Sequence, residues 1–231
     1  MKFVKMLLGL ALLPAAFAVA ATLGDLLMNL PATSGGIPPG FWWFAGGFAF
    51  WIVLWFALPR PARSYVLAHE LTHAIWGIAW GATVSKLRVR AEGGSVNLSK
   101  TNVWITLAPY FFPLYTLLVI LIRLAFRLFV PAAAPYDLFW LALVGLTWGF
   151  HVTFTLAVLA QRQPDVQEHG RIFSWTLIFI LNAVGLLVWI LSVTRGDWLR
   201  CIAALGGRTL AAYGEIIRLL AAALHAAISR T

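Results

Sequence analysis

Ser64-Tyr65-Val66-Leu67-Ala68-His69-Glu70-Leu71-Thr72-His73-Ala74-Ile75-Trp76-Gly77-Ile78-Ala79-Trp80 is an apolar run of helical length with two histidines and a glutamate at its middle. An unpartnered carboxylate in a membrane helix costs about 2.5–3.5 kcal/mol or more. The run offers few polar partners beyond Ser64 and Thr72. The spacing H-E-x-x-H supplies a physical reason for the polar residues. Side chains four apart share a helix face, so His69 and His73 can hold one metal ion with Glu70 beside them. The expected metal is zinc, which lowers the pKa of water towards neutrality, and Glu70 is the expected general base.

The rest of the chain sets this run in a membrane. Of 231 residues 61% are apolar and 11% charged, with a mean hydropathy of +0.87. An ordinary soluble domain carries about a quarter charged residues. So little charge cannot cover a soluble surface, which excludes a soluble enzyme, a disordered chain and a disulfide scaffold. Cys201 is the sole cysteine and forms no internal disulfide. The net charge of +9 is spread singly between apolar runs. Isolated Lys and Arg mark a lipid surface, and no basic block points to nucleic acid.

Six stretches are long enough to cross or nearly cross a bilayer: Phe3–Leu27, Phe41–Leu58, Ser64–Trp80, Val103–Ile122, Leu138–Ala160 and Ile172–Val193. About 20 helical residues span the hydrocarbon. Lys2, Lys5 and the small residues Ala18–Ala21 are also features of a signal peptide, but the apolar run continues to Met28, so a retained helix is expected. Pro31–Gly40 reads as a loop. Ala82–Asn102 differs in kind, with two short alternating runs around Glu92-Gly93-Gly94, and predicts a β-hairpin over about 83–101. The fold class is an all-α membrane protein of about six transmembrane helices with a membrane-associated β-hairpin after the motif helix. Residues 1–196 form the bundle. In 197–231 the charges Arg200, Arg208, Glu215 and Arg218 are too frequent for a span, so an interfacial amphipathic helix is expected there, weakened at Gly206-Gly207.

A catalytic zinc needs a third protein ligand and an open position. At about 1.5 Å per residue, His73 lies ~10 Å and His69 ~17 Å from the end of their helix. With alternating helices, His151 lies ~14 Å from the same membrane face, which matches the motif. Asp165 follows Pro164, and a helix broken by proline can turn a carboxylate inward. Both residues remain candidates on these grounds. Glu168 is the candidate should the third ligand be a glutamate.

His-Glu-Leu-Thr-His at 69–73, followed by A-I-W-G-I-A-W-G-A and short strands with Gly-Gly, resembles the site-2 protease family of intramembrane zinc metalloproteases. The resemblance covers roughly Ser64–Arg171. It implies a membrane-embedded hairpin after the motif helix and a third ligand, an aspartate, from a later helix. By position that aspartate falls on Asp165. The family's N-x-x-P…D-G pattern is only partly present: Pro164-Asp165 stands here without a following glycine or a preceding asparagine. The implied activity is zinc-dependent cleavage of a transmembrane or membrane-proximal segment of a membrane-protein substrate, in a multi-pass protein of a bacterial inner membrane. Ser95–Ser99 is a candidate edge for pairing with an extended substrate. Two other readings are a catalytically inactive membrane scaffold of the same fold and a haem-binding bundle using His73 and His151. Basic residues flank the six stretches almost equally on both faces, so charge leaves the membrane orientation open.

Overall fold

The computed structural model describes residues 2–33, 36–130 and 137–229. In chain order the elements are α1 (Lys2–Thr33), α2 (Pro39–Ala57), α3 (Ala62–Ala79), β1 (Val84–Arg90), β2 (Gly93–Leu98), α4 (Val103–Phe111), α5 (Leu114–Phe129), α6 (Asp137–Leu159), α7 (Pro164–His169), α8 (Arg171–Thr194) and α9 (Trp198–Ile228). The chain divides into two compact units, residues 38–169 and residues 1–37 with 170–231. The boundary expected at 196/197 is not the one the packing draws.

In the unit of residues 38–169, α2 packs along α6. A Cβ on Gly47 would lie 1.9 Å from the Ala142 carbonyl oxygen, and one on Gly145 would lie 2.0 Å from that of Phe44. Small residues let two backbones approach where no apolar driving force separates helix from lipid. Beside this crossing lies an aromatic core of Trp51, Tyr65, Phe150 and Phe154. Tyr65 stacks on Phe154 at 4.7 Å, which ties the motif helix to α6.

The motif helix stops at a glycine. Gly81 has φ +72, and Ala82 N–H donates to the Gly77 carbonyl at 2.8 Å. Only a residue without Cβ takes this left-handed position at little cost. The expected hairpin follows, with β1 and β2 antiparallel and Arg90 opposite Gly93. The turn is Ala91-Glu92, so Gly93 and Gly94 begin the second strand rather than forming the turn.

The expected span Val103–Ile122 is broken. The helices α4 and α5 meet at Phe112-Pro113 with a 74° bend. Proline removes a backbone donor and pushes the residue before it out of the helical region, and Phe112 sits at φ −103, ψ 98. The start of α4 is capped by Asn102, whose side chain accepts from Ile105 N–H at 2.9 Å.

In the other unit α1 packs against α8 and α9. Its core is Val19, Ala183 and Leu187, with Leu23, Cys201 and Leu205 against it. Arg208 pairs with Asp25 and donates to Thr22 at 3.2 Å. The first helix runs on to Thr33, which shortens the loop expected at Pro31–Gly40. The last helix is continuous through Gly206-Gly207, against the expected weakening there.

Among the described residues five helices are long and apolar enough to cross a membrane, or six if α4 with α5 is one broken span. This fits an all-α, multi-pass membrane protein, but the set differs from the expected one. The motif helix α3 is not in it, because Arg63, His69, Glu70 and His73 lower its hydropathy. The last helix α9 is in it, since its apolar residues outweigh the four charges that had argued against a span.

The glycine crossing sets up a paired test. Gly47→Ala should lower stability by ~1–3 kcal/mol, as overpacking does. Gly46→Ala, whose Cβ meets nothing within 4 Å, should leave stability unchanged or raise it by up to ~1 kcal/mol. Thermal unfolding of the two variants in detergent distinguishes them. Equal melting temperatures would remove the close approach.

Candidate metal centre

The side chains of His69 and His73 project from one face of α3, as their spacing requires, and Asp165 joins them from the first turn of α7. His69 Nε2 lies 3.2 Å from His73 Nε2. Asp165 Oδ2 lies 3.4 Å from the first nitrogen and 3.5 Å from the second. The three side chains form a group able to hold a metal ion. A tetrahedral ion with nitrogen and oxygen ligands at about 2.0–2.1 Å separates neighbouring ligands by about 3.3–3.4 Å. The observed triangle has that edge length, and one imidazole pair with one carboxylate is a donor set that suits zinc.

Asp165 reaches the histidines by a chain reversal. The helix α6 ends at Leu159, and Pro164 opens α7 with Asp165 next to it. Proline is favourable at a first helical position, where its missing N–H has no partner to lose. Gln163 donates to the Val158 carbonyl at 3.1 Å and draws the turn back over the end of α6. No deep bend within one helix is needed.

A second layer of bonds orients the three groups. His73 Nδ1 bonds the Ile105 carbonyl oxygen at 2.8 Å. That contact makes Nδ1 the protonated nitrogen and leaves Nε2 free to ligate. His69 Nδ1 pairs with the Tyr65 hydroxyl at 3.2 Å. The Tyr110 hydroxyl donates to Asp165 Oδ2 at 2.9 Å, and Tyr110 is fully buried. Tyr65 was within reach of sequence reasoning, since it stands four residues before His69 on the same face. Tyr110 and the Ile105 carbonyl carried no such signal.

Glu70 is 8% exposed and lies beneath the hairpin. The Val96 backbone amide faces its carboxylate. A Cβ on Gly94 would lie 2.6 Å from Glu70 Cγ and 2.7 Å from Val66 Cγ1. Gly94 therefore lets the second strand close directly onto the motif. A cavity of about 850 Å³ opens on Glu70, both histidines and Asp165, and β2 residues Gly93–Val96 and Leu98 form one of its walls.

The competing residues fall elsewhere. His151 is buried on α6 and lines a separate small cavity with Tyr65, His69 and Thr72. It does not belong to the three-residue group. Glu168 stands at the rim of the large cavity with its side chain half exposed.

Removing a ligand should abolish most zinc affinity, whereas losing an orienting partner costs about 10–100-fold. Asp165→Ala should therefore fall furthest in a zinc competition titration. Tyr110→Phe should weaken binding by about 10–100-fold, and His151→Ala should stay close to wild type. Near wild-type affinity in Asp165→Ala would exclude the triangle as the binding site.

No protein-family model, curated protein or solved structure matches the chain.

Proposed function

We propose that this protein is an intramembrane zinc metallopeptidase that cleaves a transmembrane or membrane-proximal protein segment. The observation that carries the reading is the His69–His73–Asp165 triangle, with edges of 3.2, 3.4 and 3.5 Å, next to a buried glutamate that faces a large cavity. A structural polar cluster would need no such cavity and no free carboxylate beside it. Zinc held by these three groups would supply a Lewis acid that polarises a carbonyl and acidifies water.

The chain's own residues divide the remaining work. Glu70 accepts the proton of the attacking water and passes it to the departing amide nitrogen, which is general acid–base catalysis by one carboxylate. The Val96 amide steadies that carboxylate, and the Gly94 contact keeps it from swinging away. Tyr110 and Ile105 hold Asp165 and His73 in ligating orientation. Helical backbone hides its carbonyls, so a substrate must be extended at the cut. Pairing along β2, which borders the cavity, gives it that shape. The apolar helices of both units support a multi-pass membrane protein, for which a bacterial inner membrane is the proposed location.

Glu70→Gln keeps the shape of the side chain and removes its proton acceptor. It should retain zinc and lower cleavage of a co-expressed membrane substrate by about 10²–10⁴-fold. Processing at the wild-type rate would rule out the role of Glu70.

A further inference from the structure

Arg60 is the one cationic side chain among the residues that line the large cavity. Its position is set from two sides. It stands between Pro59 and Pro61 in the link from α2 to α3. Pro61 has φ −76 and ψ 65, and Ala62 N–H donates to the Arg60 carbonyl at 2.8 Å. That is an inverse γ-turn, a local energy minimum of the backbone. Pro59 and Pro61 narrow the backbone further. The guanidinium lies over the Trp55 ring, 4.3 Å from its centre. Stacking of this kind holds a cation while leaving its in-plane N–H donors available. Among the described residues no carboxylate forms an ion pair with it.

Trp55 also fixes how Arg60 stands to the metal centre. Its ring meets Phe154 edge-on at 4.8 Å. Phe154 stacks on Tyr65 at 4.7 Å, and the Tyr65 hydroxyl reaches His69 Nδ1 at 3.2 Å. Three packed rings thus connect the cation to a metal-binding histidine, all within one compact unit. The cavity is also lined by apolar side chains such as Val66, Ile105 and Val158, by Gln161 and Gln163, and by the carboxylates of Glu92 and Glu168. A fixed planar cation on the wall of this cavity, paired with none of the cavity's own carboxylates among the described residues, suits a substrate that carries a carboxylate. Guanidinium binds a carboxylate through two parallel hydrogen bonds.

We infer that Arg60 is a specificity-determining residue that binds a carboxylate of the substrate, from an acidic side chain or from a chain terminus. The inference rests on the peptidase reading but has a readout independent of turnover. Zinc-loaded Glu70→Gln protein in detergent would be titrated with three apolar octapeptides. One has an internal glutamate and an amidated end, one has glutamine there and an amidated end, and one has glutamine and a free carboxyl end. Either carboxylate peptide should bind about 10–100-fold more tightly than the neutral one, the range of a hydrogen bond to a charged group. The peptide that gains identifies the source of the carboxylate. Adding Arg60→Gln should erase the difference, Arg60→Lys should keep part of it, and Arg60→Glu should turn the preference towards a lysine-bearing peptide. Unchanged zinc content would show that these variants fold. Equal affinities for all three peptides, no binding of any, or equal losses on all three in Arg60→Gln would overturn the inference. A preference that depends on Arg60, with no cleavage by the protein with Glu70 intact, would leave the inference standing and refute the peptidase reading.

Discussion

Two carboxylates and two imidazoles meet in a mostly apolar interior, and the structure around them is organised by the cost of keeping them there. A buried charge without partners is expensive, and breaking a buried pair by removing one member is strongly destabilising. Each group here has an answering group, and all but the Tyr65 hydroxyl come from a different element. Asp165 has both histidines and the Tyr110 hydroxyl. His73 has the Ile105 carbonyl, His69 has Tyr65, and Glu70 faces the Val96 amide. Three elements remote in sequence, β2, α4 and α7, therefore close on the middle turns of α3.

The proposed metal centre would tolerate little movement, because ligating geometry must be held to about 0.5 Å. The helices behind it are packed accordingly. The glycines at the crossing of α2 and α6 bring the two backbones into contact, and the rings of Trp51, Phe150, Phe154 and Tyr65 fill the space beside them. The same aromatic packing that anchors Tyr65 against His69 carries Trp55, and Trp55 carries Arg60. Stability of the unit and placement of its polar groups are two consequences of one set of contacts.

Hydropathy treats all faces of a helix alike, and this explains where it misleads. The motif helix α3 falls below the composition of a membrane span because Arg63, His69, Glu70 and His73 lower its hydropathy, although the two histidines face partners inside the protein. The last helix α9 meets that composition although its charges recur along the chain, because apolar residues fill the stretches between them, and one of the charges, Arg208, is matched by Asp25 on α1. A charge paired with a neighbouring helix costs far less than the same charge in lipid.

Local physics was legible in the sequence. Periodicity placed His69 and His73 on one face, alternation around Gly-Gly announced the hairpin, and composition required apolar helices. What the chain could not disclose was anything that depends on a reversal of direction or a distant partner. The break at Phe112-Pro113 is local, the work of the proline itself, whereas the approach of Asp165 to the histidines and of Tyr110 to Asp165 follows from packing between segments far apart in sequence. His151 and Asp165 both stood at a plausible distance along their helices, and rise per residue alone did not separate them. The chain path after Leu159 separates them in the structure, since a four-residue link before Pro164 brings the carboxylate to the imidazoles, while His151 lines a second, smaller cavity. Spacing within a helix is set by backbone geometry, which every sequence shares. The third vertex of the triangle is set by how helices pack, and that exists only once the whole unit has folded.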